Sequence, residues 1–153
     1  MPNALLLVDQ VGTQSGASPI SELNPLPQNR TSEYPIGATP LIASSGNVAA
    51  SSATATLSGV AGKTTFITGF SVTGAGATVG LVVGVTVTGL IGGVTATYNL
   101  AAVAGALLSN APLMIQFIKP IPANATNTSI VVTVPSLGLG NTNSSVVAHG
   151  YQQ

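Results

Sequence analysis

The segment Gly62-Lys63-Thr64 contains the residue types that end a phosphate-binding P-loop. In that motif the backbone surrounds the phosphates, the lysine contacts them and the threonine hydroxyl binds magnesium. The full motif requires a glycine five positions before Gly62, where this sequence has Leu57. No aspartate or glutamate follows Glu33, so the later chain has no carboxylate to hold the metal. We interpret the segment as a turn and predict no nucleotide cofactor.

A second candidate for chemistry is His149, the one histidine of a chain that has no cysteine. A metal site needs at least three protein ligands, and all three carboxylates of the chain, Asp9, Glu22 and Glu33, lie near its start. A serine hydrolase triad would need one of them to orient His149, and paired acid-base catalysis would need two in one pocket. The sequence therefore predicts a protein that is not an enzyme and has no catalytic residue, metal, cofactor or small-molecule substrate.

The charge content limits the classes of partner. Six side chains carry a formal charge, three basic and three acidic. Three cations are too few for the phosphate contacts of a nucleic-acid binder or for a polybasic membrane anchor. A net charge of zero with 45% hydrophobic residues leaves little electrostatic repulsion between molecules. We expect no nucleic-acid or membrane partner, and we expect association with other protein subunits.

The uncharged stretch between Lys63 and Lys119 is interrupted by glycine and threonine too often for a membrane-spanning helix. Within residues 81–88, every odd-numbered residue is leucine or valine, and the even positions from 84 onward are glycine or threonine. This alternation is typical of a half-buried β-strand. The amino terminus has no basic region and only a short apolar run, Leu5 to Val8, so the sequence predicts no secretory signal.

Proline divides the chain into two regions. Six of the ten prolines lie in the first forty residues, and none occurs from 41 to 111. We predict an extended, proline-rich arm over residues 1–45, with Leu5 to Val8 as an added strand, and a single β-domain over residues 46–153.

The β-domain is predicted from runs of valine, isoleucine, threonine and alanine that are separated by glycine, asparagine and serine. Pro120 and Pro122 are expected to close one of these strands. Residues 101–108 are alanine-rich and fit either a helical turn or a loop. With one strand from the arm, the fold class is all-β, a single antiparallel sandwich, jelly-roll-like, of about eight strands. The seven candidate strands of the domain are Val48–Leu57, Thr64–Thr73, Thr78–Thr88, Val94–Leu100, Leu113–Lys119, Ser129–Val134 and Ser145–Gln152.

Aromatic residues are assigned to two roles. Those in the interior of candidate strands are expected to fill the core, namely Phe66, Phe70, Tyr98 and Phe117. Residues of the arm and of the last strand are predicted to contact other subunits. These predicted interaction residues are Leu5, Leu6, Leu7, Tyr34, Pro35, His149 and Tyr151.

Four stretches of the sequence, 46–50, 62–78, 140–143 and 148–151, carry a resemblance to small virion structural proteins of tailed bacteriophages. Over roughly residues 40–153 the chain is similar to capsid decoration (cement) proteins. The resemblance implies a jelly-roll-like domain, commonly trimeric, that sits on the exterior of the phage head. It also implies an extended arm that clamps neighbouring major capsid subunits.

The leading hypothesis is a non-enzymatic virion protein that cements a bacteriophage capsid, forms a homotrimer and binds the major capsid protein. Such a protein would be made in the bacterial host cytoplasm and located on the capsid exterior. One alternative is a phage tail, baseplate or fibre component. Another is a receptor- or carbohydrate-binding β-module, which would need exposed aromatic residues for sugar stacking or an acidic cluster for calcium.

Overall fold

The structure, a computed structural model, describes residues 34–105, 109–138 and 143–153. These residues contain eight β-strands and one 3₁₀ turn, Ile91–Gly93. No helix in these ranges is long and apolar enough to cross a membrane. The strands are β1 (Thr39–Ser44), β2 (Ala53–Leu57), β3 (Thr65–Ala75), β4 (Leu81–Thr88), β5 (Ala96–Ala102), β6 (Leu113–Pro122), β7 (Ile130–Val134) and β8 (Asn143–Gln152).

The strands form two antiparallel sheets of four strands each. Sheet A has the order β1-β8-β3-β6, and sheet B has the order β2-β7-β4-β5. Strand β1 therefore pairs with β8, β2 with β7, β3 with β6, and β4 with β5. This is the pairing of one long hairpin rolled into two sheets, which is the jelly-roll arrangement. The predicted all-β sandwich is confirmed.

The core lies between the two sheets and follows the alternation seen in the sequence. Val83, Val85 and Val87 of β4 point inward and are buried, while the intervening residues are at least partly exposed. Strand β7 repeats the pattern, with its first, third and fifth residues buried. Each fully buried aliphatic side chain contributes about 1.5–3 kcal/mol relative to exposure. The two inner faces therefore hold the sandwich together.

Among the described residues, Phe70 is the largest side chain that is fully buried, at 1% exposure. Its ring meets Tyr98 of sheet B edge-on, with the ring centroids 5.2 Å apart. It also lies 6.4 Å from the ring of Phe117 in the neighbouring strand of its own sheet. Phe70 thus joins the two sheets at the β5–β6 side of the core.

A β-bulge in β3 changes which side chains face the core. Between Ile67 and Gly69, strand β3 advances two residues while β8 advances only one, from Gly150 to His149. Such an extra residue reverses the inward and outward positions on the two sides of the bulge. Phe70 therefore points inward, whereas Phe66 lies on the outer face, so the prediction that Phe66 fills the core was wrong.

The strand that completes the set of eight, β1, is formed by residues other than the predicted Leu5 to Val8. Strand β1, Thr39–Ser44, lies inside the range 1–45 that the sequence analysis assigned to the arm, and it pairs with β8 at the edge of sheet A. Its Pro40 is compatible with pairing because an edge strand can leave a missing N–H on its open side. The predicted strand at Leu5 to Val8 lies outside the described residues.

Proline also failed to end β6. Pro120 and Pro122 belong to this strand, which is the other edge of sheet A and tolerates proline for the same reason. Between the pairs Gly69–Gln116 and Ile67–Ile121, β6 advances five residues while β3 advances two. The extra residues form a wide bulge that carries Ile118 and Lys119.

The predicted strand Val48–Leu57 is divided between the two sheets. The backbone N–H of Val48 donates to the Ser144 carbonyl of sheet A at 2.8 Å, and β2 begins in sheet B at Ala53. In the alanine-rich stretch, Ala101 and Ala102 complete β5, and residues 106–108 lie outside the described part of the chain.

The Gly-Lys-Thr segment is a turn, as predicted. The Lys63 backbone N–H donates to the Val60 carbonyl at 3.1 Å, and Gly62 has a φ of 76°. A left-handed φ at this place favours glycine. The Lys63 ammonium donates to Thr39 Oγ1 at 3.2 Å, which ties the turn to the start of β1.

Candidate functional site: the outer face of sheet A

The outer surface of sheet A, called face A below, is built from rows of side chains that cross its four strands. In each row the residues are directly opposite one another in neighbouring strands, where side chains of one face are in contact. The first row is Pro40, Tyr151, Phe66 and Pro122; the second is Ile42, His149, Gly69 and Gln116; the third is Ser44, Val147, Ser71 and Met114.

An aromatic cluster occupies the first row. The rings of Phe66 and Tyr151 are stacked, with centroids 4.8 Å apart and planes 11° from parallel. Tyr34 packs edge-on against Tyr151 at 5.7 Å. Tyr151 is therefore only 5% exposed although it lies on an outer face, while Tyr34 and Phe66 are half-buried.

Large apolar side chains project from the rest of face A and from its margins. Ile42 is 71% exposed and Met114 is 69% exposed, on the two edge strands. Ile36, in the turn between Pro35 and Ala38, and Ile118, in the β6 bulge, are exposed almost completely. The three rows contain no charged residue. Face A is therefore suited to contact an apolar, uncharged surface.

The outer surface of sheet B has a different chemistry. One row that crosses all four strands consists of Thr54, Thr133, Thr86 and Thr97. The hydroxyl oxygens of Thr54 and Thr133 are 3.2 Å apart and share a hydrogen bond. Threonine hydroxyls can be hydrated without charge, so this surface is compatible with water. Val82 of β4 also lies on this outer surface and is 67% exposed. The outer surface of sheet B therefore combines a threonine row with one exposed valine, whereas face A has exposed isoleucine and methionine on both of its edge strands.

The structure brings four of the predicted interaction residues close to face A. Tyr34 and Tyr151 are in contact, Pro35 follows Tyr34, and His149 occupies the second row between Ile42 and Gly69. Tyr151 is covered by Tyr34 and Phe66 of its own chain, so its role is to hold the cluster together. Leu5, Leu6 and Leu7 lie outside the described residues.

Of the twelve residues in the three rows, only His149 and Tyr151 were predicted as interaction residues. Ile42, Phe66 and Met114 are the large apolar residues among those that were not predicted. Ile42 was assigned to the arm, and Phe66 was assigned to the core because the bulge has no clear sequence signal. Met114 alternates with Leu113 and Ile115, which both pack against the core. Strict alternation in 113–117 was the one available signal for its outward position.

Face A offers apolar surface for packing, and it has few polar side chains that could bind a metal or take part in catalysis. Among the described residues there is no group of three or more His, Cys, Asp or Glu side chains that could hold a metal ion. His149 is a strand residue, as expected, with a half-exposed side chain. Association by burial of apolar surface is the interaction that face A supports.

Burial raises the pKa of Tyr151 above its ordinary value of 10.0. The folded protein therefore holds this phenolic proton more tightly than the unfolded chain does. The contribution of Tyr151 to stability is complete below about pH 10 and is lost as the pH rises through the raised pKa.

We expect the free energy of unfolding to fall in alkaline solution, and we expect Tyr151→Phe to reduce that fall. Denaturant titrations between about pH 8 and pH 11.5 would measure both profiles. Tyr34 and Tyr98 are present in both proteins, so the difference between the profiles reports Tyr151. Two parallel profiles would contradict the prediction.

Comparisons with protein-family models, with curated proteins and with solved structures found no match to this chain.

Proposed function

We propose that the protein is a non-enzymatic structural protein that binds across neighbouring subunits of a bacteriophage capsid and stabilises the shell. The observation that carries the docking role is face A, an uncharged surface with exposed isoleucine and methionine side chains on its edge strands. The capsid as the target is supported by the resemblance described from the sequence. The partner is the major capsid protein.

The difference between the two outer faces supports one orientation of the domain. Face A presents Ile42, Met114 and an aromatic cluster, whereas the outer surface of sheet B presents a row of threonines and the exposed Val82. Burying apolar surface contributes about 25 cal/mol per Å² before entropic costs, so face A is the side that gains most from contact with protein. The threonine-lined side then faces water.

The arm extends the contact in this proposal. Residues 1–33 precede Tyr34, which is held in the aromatic cluster of face A. The apolar run at Leu5 to Val8 would bind a capsid subunit beside the one that contacts face A. Two contacts joined by one chain act at high effective concentration, so each contact strengthens the other.

The test is incorporation of full-length variants into capsids assembled without the protein. Ile42→Asp and Met114→Asp each place a carboxylate on face A at positions where the wild-type side chain is more than two-thirds exposed. Each variant should remain folded. The number of copies bound per capsid should fall by about tenfold or more, because the contact would no longer bury an apolar side chain and would instead remove a carboxylate from water.

Thr56→Asp is the matched control, since Thr56 is an exposed outward residue of the edge strand β2 in sheet B. It should bind capsids as the wild type does. Equal binding by all three variants would exclude face A as the docking surface. Binding confined to a tail or to one vertex would instead support the alternative of a tail or fibre component.

A further inference from the structure

Strand β5 is the edge of sheet B that is least protected against pairing with another strand. Among the described residues it pairs only with β4. Its seven residues include no proline and no charge, and its register with β4 is regular. Edge strands with these properties are open templates for a further strand.

The other three edges are better protected. Pro40 interrupts hydrogen bonding along β1, and Pro120 and Pro122 do so along β6, which also carries Lys119 in its bulge. Strand β2 has only five residues. Because short strands, prolines, bulges and lysine all disfavour edge-to-edge pairing, β5 is the position at which the sandwich can be extended.

The sequence of β5 is complementary to itself when read in the opposite direction. If Asn99 lies on a twofold axis, each residue i is opposite residue 198 minus i of a second, antiparallel copy. The opposed pairs are then Ala96 with Ala102, Thr97 with Ala101, Tyr98 with Leu100, and Asn99 with Asn99.

These pairs are compatible in size and chemistry. Tyr98 and Leu100 lie on the inner face, where Tyr98 is half-buried against Phe70 and Leu100 is buried within its own subunit, so the main gain of the contact comes from the backbone hydrogen bonds of the edge and from the outward residues. The two Asn99 side chains face each other on the outer side, and a carboxamide can both donate and accept a hydrogen bond. No like charges meet, because the strand has none.

The same register continues past the ends of the strand and covers exposed apolar residues. Val103, which is 48% exposed, comes next to the segment that carries Val94 of the second copy, which is 56% exposed. A strand of seven residues is about 23 Å long, so the contact is at the small end of specific interfaces. Its affinity should therefore be moderate and its occupancy concentration-dependent.

We propose that two copies of this protein associate through their β5 strands, antiparallel about a twofold axis at Asn99, and form one continuous eight-stranded sheet. This contact does not use face A. It is independent of the capsid proposal because it requires only the protein itself. It also differs from the trimer implied by the resemblance, since a twofold contact joins copies in pairs.

The absence of cysteine from the chain permits a direct test of the register. In full-length Asn99→Cys, the two new thiols would be directly opposite, with Cα atoms about 4.5–5.5 Å apart, which a disulfide can span. In Ala101→Cys, the two new thiols would be about 14 Å apart, which is too far. The double variant Thr97→Cys with Ala101→Cys brings unlike positions together and should again form a bond.

Under mild oxidation at micromolar concentration, we expect a covalent dimer from Asn99→Cys and from the double variant, and little from Ala101→Cys or Thr97→Cys alone. Wild-type protein should approach twice the monomer mass by light scattering as its concentration rises. Equal cross-linking of Asn99→Cys and Ala101→Cys would overturn the register. A wild-type mass of one or three subunits, with no dimer from Asn99→Cys, would overturn the interface.

Discussion

Gly150→Ala is expected to destabilise the sandwich by about 3 kcal/mol or more, which is a large part of the stability of a domain of this size. Gly150 lies in β8, in the middle of sheet A, and pairs with Ile67 of β3. A Cβ at this position would overlap the Phe66 backbone carbonyl oxygen and lie 3.0 Å from Leu57 Cδ1. Backbone in a paired strand cannot move aside cheaply, so the sheet itself would have to shift.

Gly80→Ala is the matched control for this prediction. The closest atom to a Cβ at Gly80 is the Ala102 carbonyl oxygen at 3.8 Å, an ordinary contact. We expect a change of less than about 1 kcal/mol, because the added methyl meets no obstacle and reduces the freedom of the unfolded chain. Chemical denaturation of both variants measures the difference. Similar stabilities for the two would show that sheet A does not pack as described.

Phe70→Ala is expected to cost about 3–5 kcal/mol, the usual range for removing a buried aromatic ring. The ring is 1% exposed and contacts Tyr98 across the core and Phe117 along its own sheet. Its removal leaves a cavity between the two sheets, and both remaining rings lose a partner. Denaturant unfolding followed by far-ultraviolet circular dichroism gives the free energy.

Phe70→Leu tests whether the cost of Phe70→Ala comes from the cavity, because leucine is also apolar but leaves a smaller cavity. Leucine fills much of the volume, so we expect a cost of roughly 1.5 kcal/mol or less. The Phe66→Ala variant adds a second comparison, because Phe66 is an outer-face aromatic that stacks on Tyr151. If Phe70→Ala were no more costly than Phe66→Ala, Phe70 would not be the residue that joins the sheets.

The two proposed contacts are on different parts of the domain and are compatible with each other. Face A lies on the outside of sheet A, whereas β5 is the edge of sheet B. Neither surface depends on charge, so both contacts should be weakly affected by moderate salt. A weak dependence on salt would distinguish both contacts from electrostatic docking, which would need more than the three cationic side chains of this chain.

Much of the fold could be predicted from local sequence pattern. The alternation in residues 81–88 correctly assigned the buried and exposed sides of β4, because a strand places successive side chains on opposite faces. The turn at Gly62 and Lys63 was predicted from residues that tolerate a left-handed backbone. Both features depend on residues that are close together in the sequence, so they can be predicted from the sequence alone.

The candidate site depended on contacts between distant residues. Phe66 and Tyr151 stack because β3 and β8 are paired in sheet A, and Tyr34, which precedes β1, packs against Tyr151, although the three residues are far apart in the sequence. Ser45 Oγ accepts a hydrogen bond from the Val146 backbone N–H across 101 positions. No local pattern specifies which strand becomes the neighbour of another.

By itself the sequence determined a cysteine-free all-β chain with a net charge of zero and six charged side chains, its strand-forming segments, and a residue inventory that predicts packing and not catalysis. The tertiary structure decided which residues of β3 face outward on each side of its bulge and which residues of different strands meet on face A. The reason is that one extra residue in β3 reverses its faces, and pairing between strands depends on packing of the whole sandwich. Ile42, Phe66 and Met114 became a common surface only through those two effects.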